Sequence, residues 1–161
     1  MNLFDIVGPV MVGPSSSHTA GAVRIGQVSR HLLGESVKEA KILLHGSFLA
    51  TGKGHGTDKA LVAGLLGMAA DDIRIPDSFD IAKESGVKFE IGKIQLKNAH
   101  PNSVKLLLVG ESGRNLEIVA CSLGGGRIKI CTIDGLEANF SGEYTTCLLY
   151  TSPSPRDYAA S

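Results

Sequence analysis

Residues 104–132 read VKLLLVGESGRNLEIVACSLGGGRIKICT. Three apolar runs, 104–109, 116–122 and 127–132, are separated by the turn signals of 110–113 and 124–126. Each run is short, rich in Val, Ile and Leu, and bounded by glycine, which is the pattern of a strand. Moving outward, 87–96 and 138–140 read the same way, set off by the polar turn 98–102 and by Asp134-Gly135. A sixth strand is expected at 40–44.

The earlier half reads differently. A helix is expected to begin within Gly13-Pro14-Ser15-Ser16-Ser17-His18-Thr19, where hydroxyls can accept from the first free backbone N–H groups. It would carry Ala20, Val23, Val28 and Leu32 on or near one apolar face and stop at Gly34. A second helix, apolar almost all round and therefore buried, is expected over about 58–70, with Gly64 and Gly67 allowing close packing against another backbone. Residues 45–58 are expected to form a glycine-rich connection. Helices first and strands after argue for an α+β fold: a two-layer domain with helices packed on one face of a mainly antiparallel sheet. One domain is expected over 1–144. Residues 145–161 lose all periodicity and hold two close prolines, Pro153 and Pro155, so they are expected to be a disordered or non-native tail.

The bulk composition excludes several classes of function. The chain has 161 residues, and its 16 basic residues balance 16 acidic ones. That balance leaves no electrostatic footprint for nucleic acid or an anionic membrane. Aromatics make up 5% with no tryptophan, so base-stacking platforms are not expected. No apolar run reaches the roughly 18 residues a membrane span needs, and the first residues lack the pattern of a signal peptide. A soluble cytoplasmic protein is expected. Cys121, Cys131 and Cys147 fit no CxxC spacing, and the first two are expected to be small buried hydrophobes rather than metal ligands.

Two constellations could carry chemistry. In 13–19, hydroxyls, free amides and His18 converge where a helix begins, a place that favours a small carboxylate. The same residues also fit a plain N-cap beside an exposed histidine. In 45–58, His55 lies between glycines and close to Lys53. The stretch fails as a phosphate loop: Gly46 to Gly52 is one residue too long, and Gly54 follows the lysine where Ser or Thr is required. A nearby ammonium favours a neutral imidazole, the form a general base requires. A glycine-rich turn with an ordinary histidine remains the alternative. Residues 98–102 read alone are a polar turn, and 122–126 are either an amide-lined anion nest or a hairpin loop.

Taken together, Gly-Pro-Ser-Ser-Ser-His-Thr at 13–19 and Gly-Ser-Phe-Leu-Ala-Thr-Gly-Lys-Gly-His-Gly-Thr-Asp at 46–58 resemble the β part of the iron–sulfur L-serine dehydratases. His-Pro-Asn-Ser at 100–103 and Ser-Leu-Gly-Gly-Gly at 122–126 are similar to that family too, and the resemblance runs to about Tyr144. It implies deamination of L-serine to pyruvate and ammonia, with a [4Fe-4S] cluster held by a partner α chain acting as Lewis acid on the departing hydroxyl. It implies His55 as the base, His18 as its partner, and substrate contacts from Ser15, Ser16, Ser17, Thr19, Lys53, Gly54, Asp58, His100, Asn102, Gly124 and Gly125. No metal ligand is expected in this chain, and a hetero-oligomer is. The resemblance further implies a fold similar to the anion-binding regulatory domain of phosphoglycerate dehydrogenases. Two-chain members carry an ACT domain after the Gly-Glu-Tyr region, whereas this sequence departs from the family at about Thr145. Two other readings stand beside the catalytic one: a non-catalytic module that binds serine or another small anion, and a scaffold that only positions its partner.

Overall fold

The computed structural model describes residues 10–142, apart from the side chain of Lys53. The expected 145–161 tail and the first nine residues lie outside them. Six strands form one sheet: β1 Val37–Leu44, β2 Lys88–Lys93, β3 Ser103–Gly110, β4 Asn115–Gly124, β5 Arg127–Ile133 and β6 Leu136–Phe140. Their order is β2-β1-β3-β4-β5-β6. Only the β1–β2 pair is parallel, because the chain between them crosses over through helices, whereas tight turns join β3 to β6 in antiparallel sequence. The last turn, Asp134-Gly135, has positive φ at both residues and links Ile133 directly to Leu136, the two-residue hairpin geometry that matches strand twist.

Register builds the core in rows. Leu44, Val104, Ala120 and Ile130 lie side by side across four strands, as do Ile42, Leu106, Ile118 and Ile133. All eight are buried. Each fully buried aliphatic side chain contributes about 1.5–3 kcal/mol. A one-residue slip would turn every row to the opposite face, so burial fixes the register. The α+β reading and the mainly antiparallel sheet are therefore both present in the structure.

The helices are α1 Gly21–Leu33, α2 Gly46–His55, α3 Thr57–Leu65 and α4 Ser78–Glu84, with a short 3-10 turn at Ile75–Asp77. α1 buries Ala22, Val23, Ile25, Gly26, Ser29 and Leu33, while Val28 and Leu32 are half-buried flanks near that stripe, packed on the core. Three points correct the sequence reading. First, α3 stops at Leu65, not near 70. The Gly67 N–H bonds Gly64 O and the Met68 N–H bonds Ala63 O, a left-handed glycine cap with Gly67 at φ +89. Gly67 thus terminates the helix rather than packing it.

Second, 46–55 is a helix, not a connection. Its glycines give it poor intrinsic propensity, so tertiary anchors hold it. Phe48 is fully buried, the Ser47 N–H bonds Pro101 O at 2.7 Å, and Gly56 caps the end with its N–H on Gly52 O. Third, the 3-10 turn and α4 were not foreseen; they bury Ile75, Ser78 and Ala82.

Gly64 does pack closely, as expected. A methyl group built there would lie 2.1 Å from Val23 O and 2.9 Å from Gly26 Cα. α1 and α3 therefore cross backbone on backbone, with Gly26 as the unforeseen partner of Gly64. This crossing presses the 13–20 segment and the 46–58 segment together.

Candidate active site

His18 sits in a five-residue π-helical turn, Ser16–Ala20, that leads into α1. Ser15 is extended (φ −141, ψ 123), and its Oγ accepts from the His18 N–H. The Gly21 N–H reaches back to Ser16 O, which widens the turn; such widened turns recur at functional sites. The imidazole is gripped at both nitrogens. Nδ1 lies 3.1 Å from Ser17 Oγ and 3.3 Å from Ser15 Oγ, and Nε2 lies 3.3 Å from Ser47 Oγ. Hydroxyls can donate or accept, so either neutral tautomer is served. The ring also packs on Phe48, with centroids 5.4 Å apart.

His55 ends α2. Its ring centroid is 5.2 Å from that of His18, with the planes 36° apart. Gly56, in the left-handed conformation at φ +66, then turns the chain into α3. The His55 side chain is exposed and makes no hydrogen bond to a described residue. The pair is thus asymmetric: one ring is fixed by three serines, the other is open. Burial lowers the His18 pKa from 6.5, the neighbouring His55 lowers it further, and a hydrogen bond to the Ser47 backbone opposes both. His18 is held as neutral imidazole near pH 7.

The two segments line a cleft of about 400 Å³ with His55, Gly54, Gly56, Asp58 and Thr19 on its walls, closed by Ile75 and Pro76. The Thr19 hydroxyl is buried and finds no partner among the described residues. An unpaired buried hydroxyl costs about 1–3 kcal/mol, so this oxygen is available to a ligand or a water. Asp58 Oδ1 accepts from the Lys59 N–H at 2.8 Å in the first turn of α3. Lys59, absent from the sequence-derived set, also lines the cleft; its Nζ donates to Pro76 O at 2.7 Å.

The two weaker motifs are tied to the same place through the main chain. The Gly125 N–H donates to Ser16 Oγ at 3.3 Å, and the β4–β5 turn holds Gly124, Gly125 and Gly126 all at positive φ. A methyl group at Gly21 would lie 2.1 Å from Ser122 Oγ. So 122–126 runs from the end of β4 through the hairpin turn to β5, and one of its amides serves the serine run. Pro101 O accepts from Ser47 N–H, and Asn102 O accepts from Ser122 N–H. His100 is exposed, and its Nδ1 accepts from the Asn102 N–H. No hydrogen bond or ring contact joins His100 to His18 or His55 among the described residues. Lys53 lies within α2, and its side chain is outside the described part. Sequence reasoning missed Ser47 as the third hydroxyl on His18; its place one turn before Thr51 shows only once 46–55 is known to be helical.

Among the described residues, no three His, Cys, Asp or Glu side chains gather as a metal site, and no helix is long and apolar enough to cross a membrane. The arrangement is a two-histidine site with hydroxyl and amide donors around an open cleft.

The family model for the serine dehydratase beta chain matches residues 2–131. The chain is 46% identical over 147 residues to the L-serine dehydratase, beta chain, of Peptoniphilus asaccharolyticus, covering 91% of this chain and 66% of that one. It is 43% identical over 148 residues to the probable L-serine dehydratase, beta chain, of Bacillus subtilis, covering 92% and 67%. Against L-serine dehydratase 1 of Escherichia coli it is 30% identical over 155 residues, covering 80% of this chain and 33% of that protein. The chain belongs to the serine dehydratase beta chain family. It spans about two thirds of the length of its beta-chain relatives.

Proposed function

We propose that this chain is the catalytic half-site of a two-chain L-serine dehydratase, a lyase that converts L-serine to pyruvate and ammonia. The observation that carries the reading is the His18–His55 pair, with one imidazole fixed and neutral and the other open to the cleft. His55 takes the α proton of serine; its ring is exposed and makes no hydrogen bond to another described side chain, so a nitrogen is available to a substrate in the cleft. His18, held by three serine hydroxyls, packs against the His55 ring and, being neutral, adds no positive charge that would discourage His55 from accepting a proton. The substrate carboxylate is held at the 15–19 turn by Thr19 Oγ1, the unpaired buried hydroxyl of that run, while its serines orient His18.

Two cysteines close together do not make a cluster site, and the described donors do not fit a [4Fe-4S] group as its ligands. The cluster would be held on a partner α chain and supply the Lewis acid for the departing hydroxyl.

The test is anaerobic pyruvate formation from L-serine by the reconstituted complex, with each chain alone as control. His55→Ala is expected to lower kcat by about 10²–10⁴-fold with little change in KM. Preserved turnover with altered cooperativity would instead make this domain a serine- or anion-binding regulatory module. Near-normal activity after replacing both histidines would leave only a scaffold.

A further inference from the structure

We propose that Cys121 and Cys131 form a redox-modification site, in which a peroxide-class oxidant converts the pair into a reversible disulfide across β4 and β5. This lies outside the dehydratase reading and does not rest on it. The two sulfurs are 4.0 Å apart in the reduced chain. The strand pairing explains the closeness. Cys121 is in register with Lys129, Ala120 with Ile130, and Val119 with Thr132. Cys131 is therefore the extra residue of a β-bulge, opposed to no partner, and a bulge bends its strand and re-aims its side chain. Alternation places Cys121, Lys129 and Cys131 on the sheet face opposite the buried Ala120, Ile128 and Ile130.

The environments of the two thiols differ in the way such a reaction needs. Cys131 is half-exposed, while Cys121 is buried behind it at 3%. The hydrogen bond between Cys131 and Cys121 lowers the Cys131 thiol to about 7, and the Lys129 ammonium adds to this against the effect of burial. The same hydrogen bond, followed by burial, pushes Cys121 up. Cys131 is thus the accessible thiolate and Cys121 the resolving thiol. The Cys131 thiolate attacks one peroxide oxygen, the O–O bond breaks, and hydroxide leaves with a solvent proton as water. Cys121 sulfur then attacks the sulfenic sulfur, the S–O bond breaks, and the departing hydroxide takes the Cys121 proton as a second water. Two thiols are oxidised and one peroxide is reduced. The sulfurs must close from 4.0 Å to the roughly 2.05 Å of a disulfide. A metal role is not supported, because no third donor joins the pair among the described residues.

The experiment treats the full chain with stoichiometric hydrogen peroxide, blocks remaining thiols, and maps the peptides by mass spectrometry. The expected product is a Cys121–Cys131 link within one chain, reversed by dithiothreitol. C121S is expected to carry sulfinic acid at Cys131, because no resolving thiol remains. The wild-type map stands without the variant if that variant folds poorly. A Cys131–Cys147 link, a link between chains, sulfinic acid at Cys131 beside an intact Cys121 thiol, or two unreacted thiols would each overturn the proposal.

Discussion

Gly64→Ala tests the backbone crossing that brings the two histidine segments together. The new methyl would sit 2.1 Å from Val23 O and 2.9 Å from both Val23 C and Gly26 Cα, and ordinary contact begins at 3.4 Å. Both obstacles are main chain, so no side chain can rotate aside. α3 must move from α1 by roughly 1 Å, loosening the contacts of Val23, Ile25 and Leu61 around it. Overpacking of this kind costs about 1–3 kcal/mol, and a backbone obstacle places the cost at the upper end. The alanine returns about 1 kcal/mol in helix propensity. The expected net loss is about 2 kcal/mol, a fall in Tm of roughly 4–8 °C for a chain of this length. Urea unfolding followed by circular dichroism should show a lower midpoint with the slope unchanged. A Tm equal to or above that of the parent chain would refute the crossing, since propensity alone predicts a gain.

Gly54→Ala should behave oppositely: a methyl there meets nothing within 4 Å, so helix propensity should raise stability by up to about 1 kcal/mol. Activity should fall, because the methyl occupies the cleft beside His55; a stable and fully active variant would remove Gly54 from the substrate site. The His18 imidazole, followed by NMR, should titrate below 6.5, chiefly through burial, and His55→Ala should raise its midpoint, since the neighbouring His55 adds to the lowering. A depressed folded pKa means that the unfolded chain binds this proton first, so stability is expected to fall as pH drops below about 6.5 and to level off below the folded midpoint. An unchanged His18 midpoint in His55→Ala would mean that the rings do not interact. Ser47→Ala should lower kcat of the reconstituted complex while costing only about 1 kcal/mol of stability, with KM nearly constant; an unaltered kcat would show that Ser15 and Ser17 suffice to hold His18.

The strands were legible because alternation and glycine turns act locally. The runs 104–109, 116–122 and 127–132 each lie within one of the observed strands. The long apolar run of α3 was legible for the same reason. α2 was not, because Gly-Ser-Phe-Leu-Ala-Thr-Gly-Lys-Gly-His carries no helical stripe and three glycines besides. Its helicity comes from Phe48 in the core and from Pro101 O, a group 54 residues away from Ser47 in the chain. The parallel pairing of β2 with β1 is equally hidden, since it depends on how the whole crossover packs rather than on any residue of β2.

The site shows the same division at a finer scale. His18 and His55 could be named from their motifs, but their separation of 5.2 Å depends on a glycine-on-glycine contact between α1 and α3. Neither motif contains Gly26 or Gly64. The serine run predicts donors for a carboxylate, yet the structure commits Ser15 and Ser17 to His18 and Ser16 to the Gly125 amide. That leaves Thr19 as the hydroxyl of the run with no partner. The motif therefore divides its work: its serines build and orient the histidine, and its threonine faces the cleft. Motif reading alone treats the four hydroxyls as equivalent. Their hydrogen bonds imply that replacing Ser15 or Ser17 acts through His18, while replacing Thr19 acts on the bound substrate.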